Sequence, residues 1–428
     1  MICSNFIRRL RGLRPVLALA LLCLAQATFG QSFASAPPRN LGFSEERLAR
    51  LDAALAGYVE NEQLAGSVTL VLRDGSVVYE KAFGLRDVDT EAPMHADTIF
   101  RIASQTKAIA STVAMILQEE GRLLISDPVS RFLPEFADTK VAVANDEGGY
   151  DLVPARREIT IRDLLTHTSG YDYGDGIAGD LWQQAGIEGY YFSDRNEPIR
   201  EIVRQMAALP ASAHPGEQWV YGYSTDILGA VLEVASGEPL DELLTSRVLE
   251  PLRMNDTHFY LPAEKRERLA TLYGMFDGQL RRAPEEGMGG QGAFDRGPRK
   301  SFSAGAGLLS TARDYGRFLQ MILNGGELDG VRIMSRKSVE LMSVSHLGDV
   351  PFRAGMGFGL GFSVVEDLGE RGTLGSVGEL AWGGAYHSTY WIDPSERLIV
   401  VHLAQLRPAG DVNDQQIVRS LIYSAFTD

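Results

Sequence analysis

Apolar and polar residues alternate in two contrasting ways near the start of the chain. In "SEERLARLDAALAGYVENEQL", residues 44–64, apolar residues recur every three or four positions after Ser44, which predicts an amphipathic helix with a serine N-cap. In "GSVTLVLRDGSVVYEKAFG", residues 66–84, two runs rich in β-branched residues flank Asp74-Gly75. That pattern is typical of a β-hairpin. The chain is therefore expected to begin with a helix followed by two antiparallel strands.

The middle of the chain, roughly 120–305, has a different pattern. Helical runs such as "PIREIVRQMAAL" are joined there by loops rich in Gly, Asp and Tyr. Strand patterns return in "GFGLGFSVV", "YHSTYWIDP" and "RLIVVHLAQ", before a closing helical segment over 412–426. The sequence therefore predicts an α+β fold, in which helices flank an antiparallel sheet built from both termini. The sheet domain is expected over 41–119 and 306–428, with a mostly helical domain inserted over 120–305.

The N-terminal residues have the pattern of an export signal. The basic stretch "MICSNFIRRLRGLR" precedes the apolar run "PVLALALLCLAQA", which ends in the small residues Ala25 and Ala27. The run is short for a membrane span, although an uncleaved anchor is the alternative. We expect a signal peptide over 1–27 and a periplasmic or secreted mature protein with no stable membrane span. Cys3 and Cys23, the two cysteines of the chain, would leave with it.

Composition and charge narrow the classes of function. The chain has 428 residues, of which 45% are hydrophobic and 23% charged, as in ordinary globular proteins. Its net charge of −15 argues against nucleic acid as a partner. The sequence contains no H-E-x-x-H motif, P-loop, cysteine cluster or G-x-S-x-G elbow. Nothing in it indicates a metal or cofactor, and nothing defines an oligomeric state.

A serine and a lysine open the predicted helix within "RIASQTKAIASTVAMILQEEGRL", residues 101–123. Ser104 and Lys107 are three positions apart, so on a helix they share a face and can touch. A helix N-terminus and burial both favour a neutral amine, which can serve as a base for a serine nucleophile. Taken alone, the S-x-x-K pattern also fits a serine at a helix start followed by a solvated lysine.

Further motifs give this pair a context. In order, the chain contains "SQTK", "LLISDPVSRFLPEF", "ITIRDLLTHTSG", "PGEQWVYGYSTDILGAVLEVASG", "PLRMNDTHF" and "SAGAGLLSTARDYGRFLQMILNGG". With these motifs most of the mature chain resembles the serine β-lactamase-like superfamily. That superfamily includes class C β-lactamases, D-alanyl-D-alanine peptidases and family VIII carboxylesterases, and the resemblance is closest to the esterases. It implies an acyl-enzyme on Ser104, with Lys107 next to it and without metal or cofactor.

The resemblance also implies a catalytic tyrosine. In "PGEQWVYGY" the pattern Pro-Gly-x-x-aromatic-x leads to Tyr221, which is expected to share proton transfer with Lys107. Tyr223 then stands where lactamases carry the asparagine of Tyr-x-Asn, and is expected to bind substrate in the pocket.

A third element is "WGG", at the position of Lys-Thr-Gly in lactamases. Trp382, Gly383 and Gly384 are expected to line the substrate pocket, although a tight turn with a packed indole would have the same sequence. The glycines would let the strand approach the acyl group, so that the backbone N–H groups of Ala385 and Ser104 form the oxyanion hole. An indole has no positive charge for a substrate carboxylate, which favours neutral esters.

Two histidines lie in or near these motifs. His167 is expected to be structural. His387 is expected at the surface or in the pocket, and a Ser–His arrangement that uses it is the weaker alternative.

The function expected is that of a serine carboxylesterase acting on small, short-chain acyl esters. The alternatives are a β-lactamase or D-alanyl-D-alanine carboxypeptidase, or a catalytically silent cell-wall-binding relative. Side activity on cephalosporins stays open.

Overall fold

Strands from both ends of the chain meet in one large antiparallel sheet. The structure, a computed structural model, describes residues 33–428, so the signal peptide expected over 1–27 lies outside the described residues. In this part of the chain no helix is both long enough and apolar enough to cross a membrane.

The described strands are β1 Ala34–Ser35, β2 Gly66–Arg73, β3 Ser76–Asp87, β4 Ala92–Pro93, β5 Phe100–Arg101, β6 Lys140–Ala144, β7 Tyr150–Pro154, β8 Tyr273–Phe276, β9 Gln279–Arg282, β10 Leu309–Ser310, β11 Glu327–Leu328, β12 Val331–Arg332, β13 Met356–Phe358, β14 Ser363–Val365, β15 Leu380–Gly384, β16 Ser388–Asp393 and β17 Leu398–Ala404. The α-helices are α1 Glu45–Glu60, α2 Thr106–Glu119, α3 Ile161–Leu165, α4 Gly179–Gln184, α5 Ile199–Met206, α6 Ser224–Ser236, α7 Leu240–Leu244, α8 Ala312–Leu323, α9 Arg336–Met342, α10 Leu368–Arg371 and α11 Asp414–Ser424.

The main sheet has the order β1-β3-β2-β17-β16-β15-β14-β13, and β4 pairs with β3 at its edge. All of its pairings are antiparallel except that of β1 with β3. β17 lies beside β2, with Val400 opposite Val71, and so joins the C-terminal strands to the N-terminal hairpin. This arrangement confirms the predicted α+β fold with a sheet from both termini.

Helices cover both faces of the sheet. Alternate residues of β17 point to opposite sides: Val400 packs in the core beneath α1 and α11, whereas Val401 packs in the larger core that contains α2 and α8. Because both faces are buried, β17 is apolar on both sides and does not alternate, with His402 as its one polar residue. Helix α1 begins as predicted, with the Ser44 side chain accepting a hydrogen bond from the N–H of Arg47.

The region between α2 and β10 holds the helices α3–α7 and also two hairpins, β6–β7 and β8–β9. The predicted helical runs contain α3, α5, α6 and α7, but the sequence pattern predicted neither α4 nor the hairpins. After β9 the glycine-rich run 285–307 forms no helix or strand. It returns the chain to β10, which pairs with β5 immediately before Ser104.

Candidate active site

Ser104 stands on a strained turn between a strand and a helix. β5 is tied to the segment before β10, where the N–H of Ile102 donates to Leu308 O at 3.1 Å. Ala103 then adopts φ 42°, a left-handed conformation that is costly for a residue with a Cβ. A short 3₁₀ turn over Ala103–Gln105 leads into α2. The turn presents the Ser104 side chain, 8% exposed, to a cavity of about 1270 Å³.

Lys107 is buried beneath Ser104, with 2% of its surface exposed. Its Nζ donates to Gly305 O at 2.7 Å, to Tyr173 Oη at 3.0 Å and to Ser104 Oγ at 3.3 Å. The structure thus brings together the serine and lysine that the sequence paired. All three oxygen atoms that Nζ contacts lie inside the protein, which excludes the solvated lysine of the simpler interpretation.

Tyr221 lies over the same amine. Lys107 Nζ is 4.7 Å from the centroid of its ring, and its Oη accepts a hydrogen bond from Trp382 Nε1 at 3.1 Å. The ring stacks on Trp219 with centroids 5.5 Å apart and packs against His167 at 4.7 Å. Tyr221 lines the cavity with Ser104, so the structure places the predicted serine, lysine and tyrosine around one point.

Tyr223 is not a pocket residue, contrary to the prediction. Its side chain is fully buried, stacks on Trp182 with centroids 5.2 Å apart, and donates a hydrogen bond to Tyr173 O at 3.3 Å. Burial raises the pKa of its hydroxyl above the ordinary value. The chain turns into α6 at this point, with Tyr223 at φ −72° and ψ −1°. Tyr221 and Tyr223, two positions apart, consequently face different directions, whereas in a strand their side chains would lie on the same side.

Tyr173 is a site residue that sequence reasoning missed. It accepts the hydrogen bond from Lys107, and its ring meets those of Tyr221 and Tyr223 edge-on, with centroids 5.7 and 5.2 Å away. Burial, with the neighbouring Tyr221, raises the pKa of its hydroxyl well above the ordinary value, so Tyr173 stays protonated. The only signal was its place just after "THTSG", which gives no indication of where the ring points.

Gly305, whose C=O accepts from Lys107, lies on a segment that a buried carboxyl group holds. Asp226 Oδ1 accepts hydrogen bonds from the N–H of Gly305 at 3.1 Å and from Ser303 Oγ at 2.6 Å. Burial raises the pKa of Asp226 against the opposing effect of Lys107. A Cβ on Gly305 would lie 2.4 Å from Asp226 Oδ2, so only glycine fits. The glycine-rich run therefore borders the site.

The "WGG" strand forms the other wall. A Cβ on Gly384 would lie 2.3 Å from Ile102 O, so the glycine allows β15 to pass directly beside the turn that carries Ser104. Trp382, Gly383, Gly384 and Ala385 all line the cavity together with Ser104. The backbone groups predicted for an oxyanion hole thus belong to residues that face one space.

The Trp382 indole carries no charge, but a substrate carboxylate would find an arginine beside it. The exposed Arg353, which also lines the cavity, places its guanidinium carbon 5.2 Å from the centroid of the Trp382 ring and 5.2 Å from that of Phe352. Arg353 lies 29 positions before Trp382 in the chain, on the loop before β13, so no local pattern around "WGG" revealed it.

Both histidines have clear places. His167 is buried, at φ 58°, and burial together with Lys107 lowers its pKa well below the ordinary value. Its C=O accepts a hydrogen bond from the N–H of Val220 at 2.8 Å, so it supports the segment before Tyr221, as a structural role requires. His387 lines the cavity, and its Nε2 is bonded to Asp414 Oδ1 at 2.5 Å.

Across residues 33–428 no cluster of three or more His, Cys, Asp or Glu side chains could hold a metal ion.

Comparisons with known proteins identify the family and the fold. The Beta-lactamase family model matches residues 51–422. The chain is 38% identical to an uncharacterized protein of Mycobacterium tuberculosis, over 81% of this chain and 86% of that protein. It is 35% identical to esterase EstB of Burkholderia gladioli, over 85% of this chain and 91% of EstB.

A search of solved structures identifies EstCE1, described as a hydrolase with promiscuous acyltransferase activity. Its TM-score is 0.75 at 28% identity, covering 89% of this chain and 99% of EstCE1. The unliganded simvastatin synthase of Aspergillus terreus has a TM-score of 0.74 at 24% identity, covering 89% of this chain and 99% of the synthase, which shows a shared fold.

Proposed function

This chain belongs to the Beta-lactamase family, and we propose that within it the protein is a serine carboxylesterase acting on small, short-chain acyl esters. The observation that carries the proposal is the contact of Lys107 Nζ with Ser104 Oγ beneath a cavity that is open to solvent. The family contains hydrolases and acyltransferases of the serine β-lactamase fold, and its esterase members include relatives of this chain.

In the proposed reaction Ser104 Oγ attacks the carbonyl carbon of the ester. Its proton passes to Lys107 and Tyr221, which return a proton to the departing alkoxide. The N–H groups of Ser104 and Ala385 donate to the oxyanion as it forms, where such donors are most effective. The acyl group is then bonded to Ser104. Water attacks it, loses a proton to the same pair, and releases the carboxylic acid together with the free serine.

The wall around Trp382 supports an ester substrate. The indole offers a flat apolar surface to a short acyl or alcohol group, and its N–H is already bonded to Tyr221. EstB is named an esterase, and the Penicillium rubens relative that is 30% identical over 83% of this chain and 92% of its own length is named a lovastatin esterase. These names support ester chemistry without defining the acyl group.

A substrate series tests the proposal. kcat/KM is measured for p-nitrophenyl acetate, butyrate and octanoate, and for benzylpenicillin and a chromogenic cephalosporin on the same preparation. We expect the short esters to exceed benzylpenicillin by at least ~10²-fold, which corresponds to about 2.7 kcal/mol of transition-state stabilisation. Comparable values for butyrate and penicillin would instead support a β-lactamase or D-alanyl-D-alanine carboxypeptidase. A protein that reacts with no serine-directed fluorophosphonate would be the silent binding relative.

We also propose that the protein is exported to the periplasm or secreted, with residues 1–27 removed. The arginine-rich start and the apolar run that follows support this. Mass spectrometry of the protein purified from the periplasm or the culture medium would give the new N-terminus. Recovery of only the full-length chain from the cytoplasm would contradict the proposal.

A further inference from the structure

The loop that carries Ala385 is held at each of its three residues. β15 ends at Gly384 and β16 begins at Ser388, and these two residues form the last pair of the ladder. In the loop, Ala385 O accepts a hydrogen bond from Arg407 Nη1 at 3.3 Å, and Tyr386 O accepts one from the N–H of Leu406 at 3.1 Å. The ring of His387 is hydrogen-bonded to Asp414. The position of the Ala385 N–H therefore depends on contacts made from outside the hairpin.

His387 has a backbone conformation that requires support. Its φ is 71°, in the left-handed region that residues with a Cβ seldom adopt, and its N–H donates to Gly384 O at 3.1 Å. Without a side-chain contact the loop would gain by relaxing to negative φ, which would carry Ala385 with it. Such strain persists only where the surrounding structure enforces it.

A buried network supplies that support. Asp414, the first residue of α11 and fully buried, bonds His387 Nε2 through Oδ1 at 2.5 Å and His402 Nε2 through Oδ2 at 2.9 Å. His402, also fully buried, bonds Thr69 Oγ1 through Nδ1 at 2.7 Å. The carboxylate can only accept, so each Nε2 carries a proton, and Nδ1 of His402 is left to bond the Thr69 hydroxyl.

Electrostatics keep Asp414 ionised despite its burial. Burial opposes ionisation, but the hydrogen bonds from His387 and His402 outweigh it and hold the pKa of Asp414 below the ordinary value. The positive end of α11 favours the same charge. His387 is thus tied to a fixed anion deep in the sheet, between β17 and the start of α11, while its other side faces the cavity.

We propose that His387 is a positioning residue that, through Asp414 and His402, holds the loop 385–387 so that the Ala385 N–H points at the oxyanion. The inference rests on the proposed function, in which that N–H stabilises the transition state. It differs from a Ser–His mechanism because His387 exchanges no proton with Ser104 or the substrate.

Three substitutions separate backbone support from ring chemistry. His387→Gln keeps an N–H donor at about the reach of Nε2, His387→Gly allows the φ but loses the bond, and His387→Ala lacks both properties. Loss of a complete oxyanion donor lowers kcat by ~10²–10³-fold, so a displaced donor should lower it by less. We expect kcat on p-nitrophenyl butyrate within ~3-fold of wild type for Gln, ~10-fold lower for Gly and ~30–100-fold lower for Ala, with KM nearly unchanged. His95→Gln, at an exposed site, is the matched control.

A second readout does not depend on ester turnover. With a fluorophosphonate, Ser104 Oγ bonds to phosphorus, fluoride leaves and the hydroxyl proton passes to Lys107 and Tyr221. The labelling rate should fall in the same order, Gln, Gly, Ala. Thermal melts identify any variant that fails to fold, and in that case the rates of the folded His387→Gln variant still test the proposal.

Four results would overturn the proposal. Wild-type rates in all three variants would show that the loop needs no support from His387. A Gln variant as slow as Ala, with one limb of the pH–rate profile lost, would make His387 a proton carrier. A change in KM alone would make it a binding residue. A wild-type protein that does not label would overturn the proposed function as well, whereas one that labels without hydrolysing esters would overturn only that function.

Discussion

Removal of single hydroxyl groups from the three clustered tyrosines tests which of them takes part in proton transfer. Tyr221→Phe keeps the ring that stacks on Trp219 and faces Lys107, and removes only the Oη that accepts from Trp382. Loss of a general base lowers kcat by ~10²–10⁴-fold, or about 2.7–5.5 kcal/mol in activation free energy. We expect this loss for Tyr221→Phe on p-nitrophenyl butyrate.

The other two tyrosines provide matched comparisons. Tyr223→Phe removes one long hydrogen bond, to Tyr173 O at 3.3 Å, so unfolding should become easier by about 0.5–1.5 kcal/mol while kcat stays within ~3-fold. Tyr173→Phe removes one of three partners of Lys107 Nζ, and we expect a loss of ~10-fold in kcat, equal to about 1.4 kcal/mol.

The assay combines steady-state kcat and KM, the amplitude of the p-nitrophenol burst, and a thermal melt for each variant. Tyr221→Phe should lose the burst rate while its melting temperature changes little, because water in the cavity can replace the lost acceptor for Trp382. A larger loss in Tyr173→Phe than in Tyr221→Phe would assign the base to Tyr173. A larger loss of kcat in Tyr223→Phe than in Tyr221→Phe would refute the inference that the buried Tyr223 takes no part in proton transfer.

Three further predictions concern other parts of the site and its support. Ser104→Ala should abolish acyl-enzyme formation, measured as a mass increase after reaction with a fluorophosphonate, and should leave the melting temperature nearly unchanged; residual ester turnover would contradict the assignment. Arg353→Gln should raise KM for mono-p-nitrophenyl succinate by ~5–10-fold and leave p-nitrophenyl butyrate unaffected, since an exposed guanidinium contributes about 1 kcal/mol to a charge pair; equal effects on both esters would refute a charge role. Asp163 is buried, which opposes its ionisation, but hydrogen bonds from Arg157 and Thr160 hold its pKa below the ordinary value. Its stabilising effect is therefore complete above pH ~4 and lost as the pH falls through the lowered pKa, so Asp163→Asn should melt lower at pH 7 and approach the wild type in acid.

Much of this fold is encoded in short stretches of the chain. The helix after Ser44, the hairpin at Asp74-Gly75 and the apolar run of β17 each depend on neighbours within a few positions, through capping, turn conformation and side-chain period. The Ser104–Lys107 contact belongs to the same class, because three positions on a helix bring two side chains together wherever the helix lies. The family motifs then identified Tyr221 and the "WGG" strand, which the structure places around that pair.

The remaining site residues come from distant parts of the chain. Tyr173 and Gly305 contact Lys107 from 66 and 198 positions away, and the Thr69–His402 bond spans 333 positions. Each contact exists only because two elements pack against a common core, and no periodicity or cap reports which elements will meet. Tyr221 and Tyr223 show the same limit over only two positions, because the start of α6 at this point decides which ring faces the cavity.

Sequence alone thus determined the class of fold, the nucleophile hypothesis and the order of the motifs, because local backbone preferences and side-chain spacing act within a turn or a strand. Only the tertiary structure decided that Tyr223 is buried, that Arg353 brings positive charge to Trp382, and that Asp414 ties His387 to the sheet. Those outcomes depend on the path of the whole chain, which is selected by burying both faces of the sheet at once.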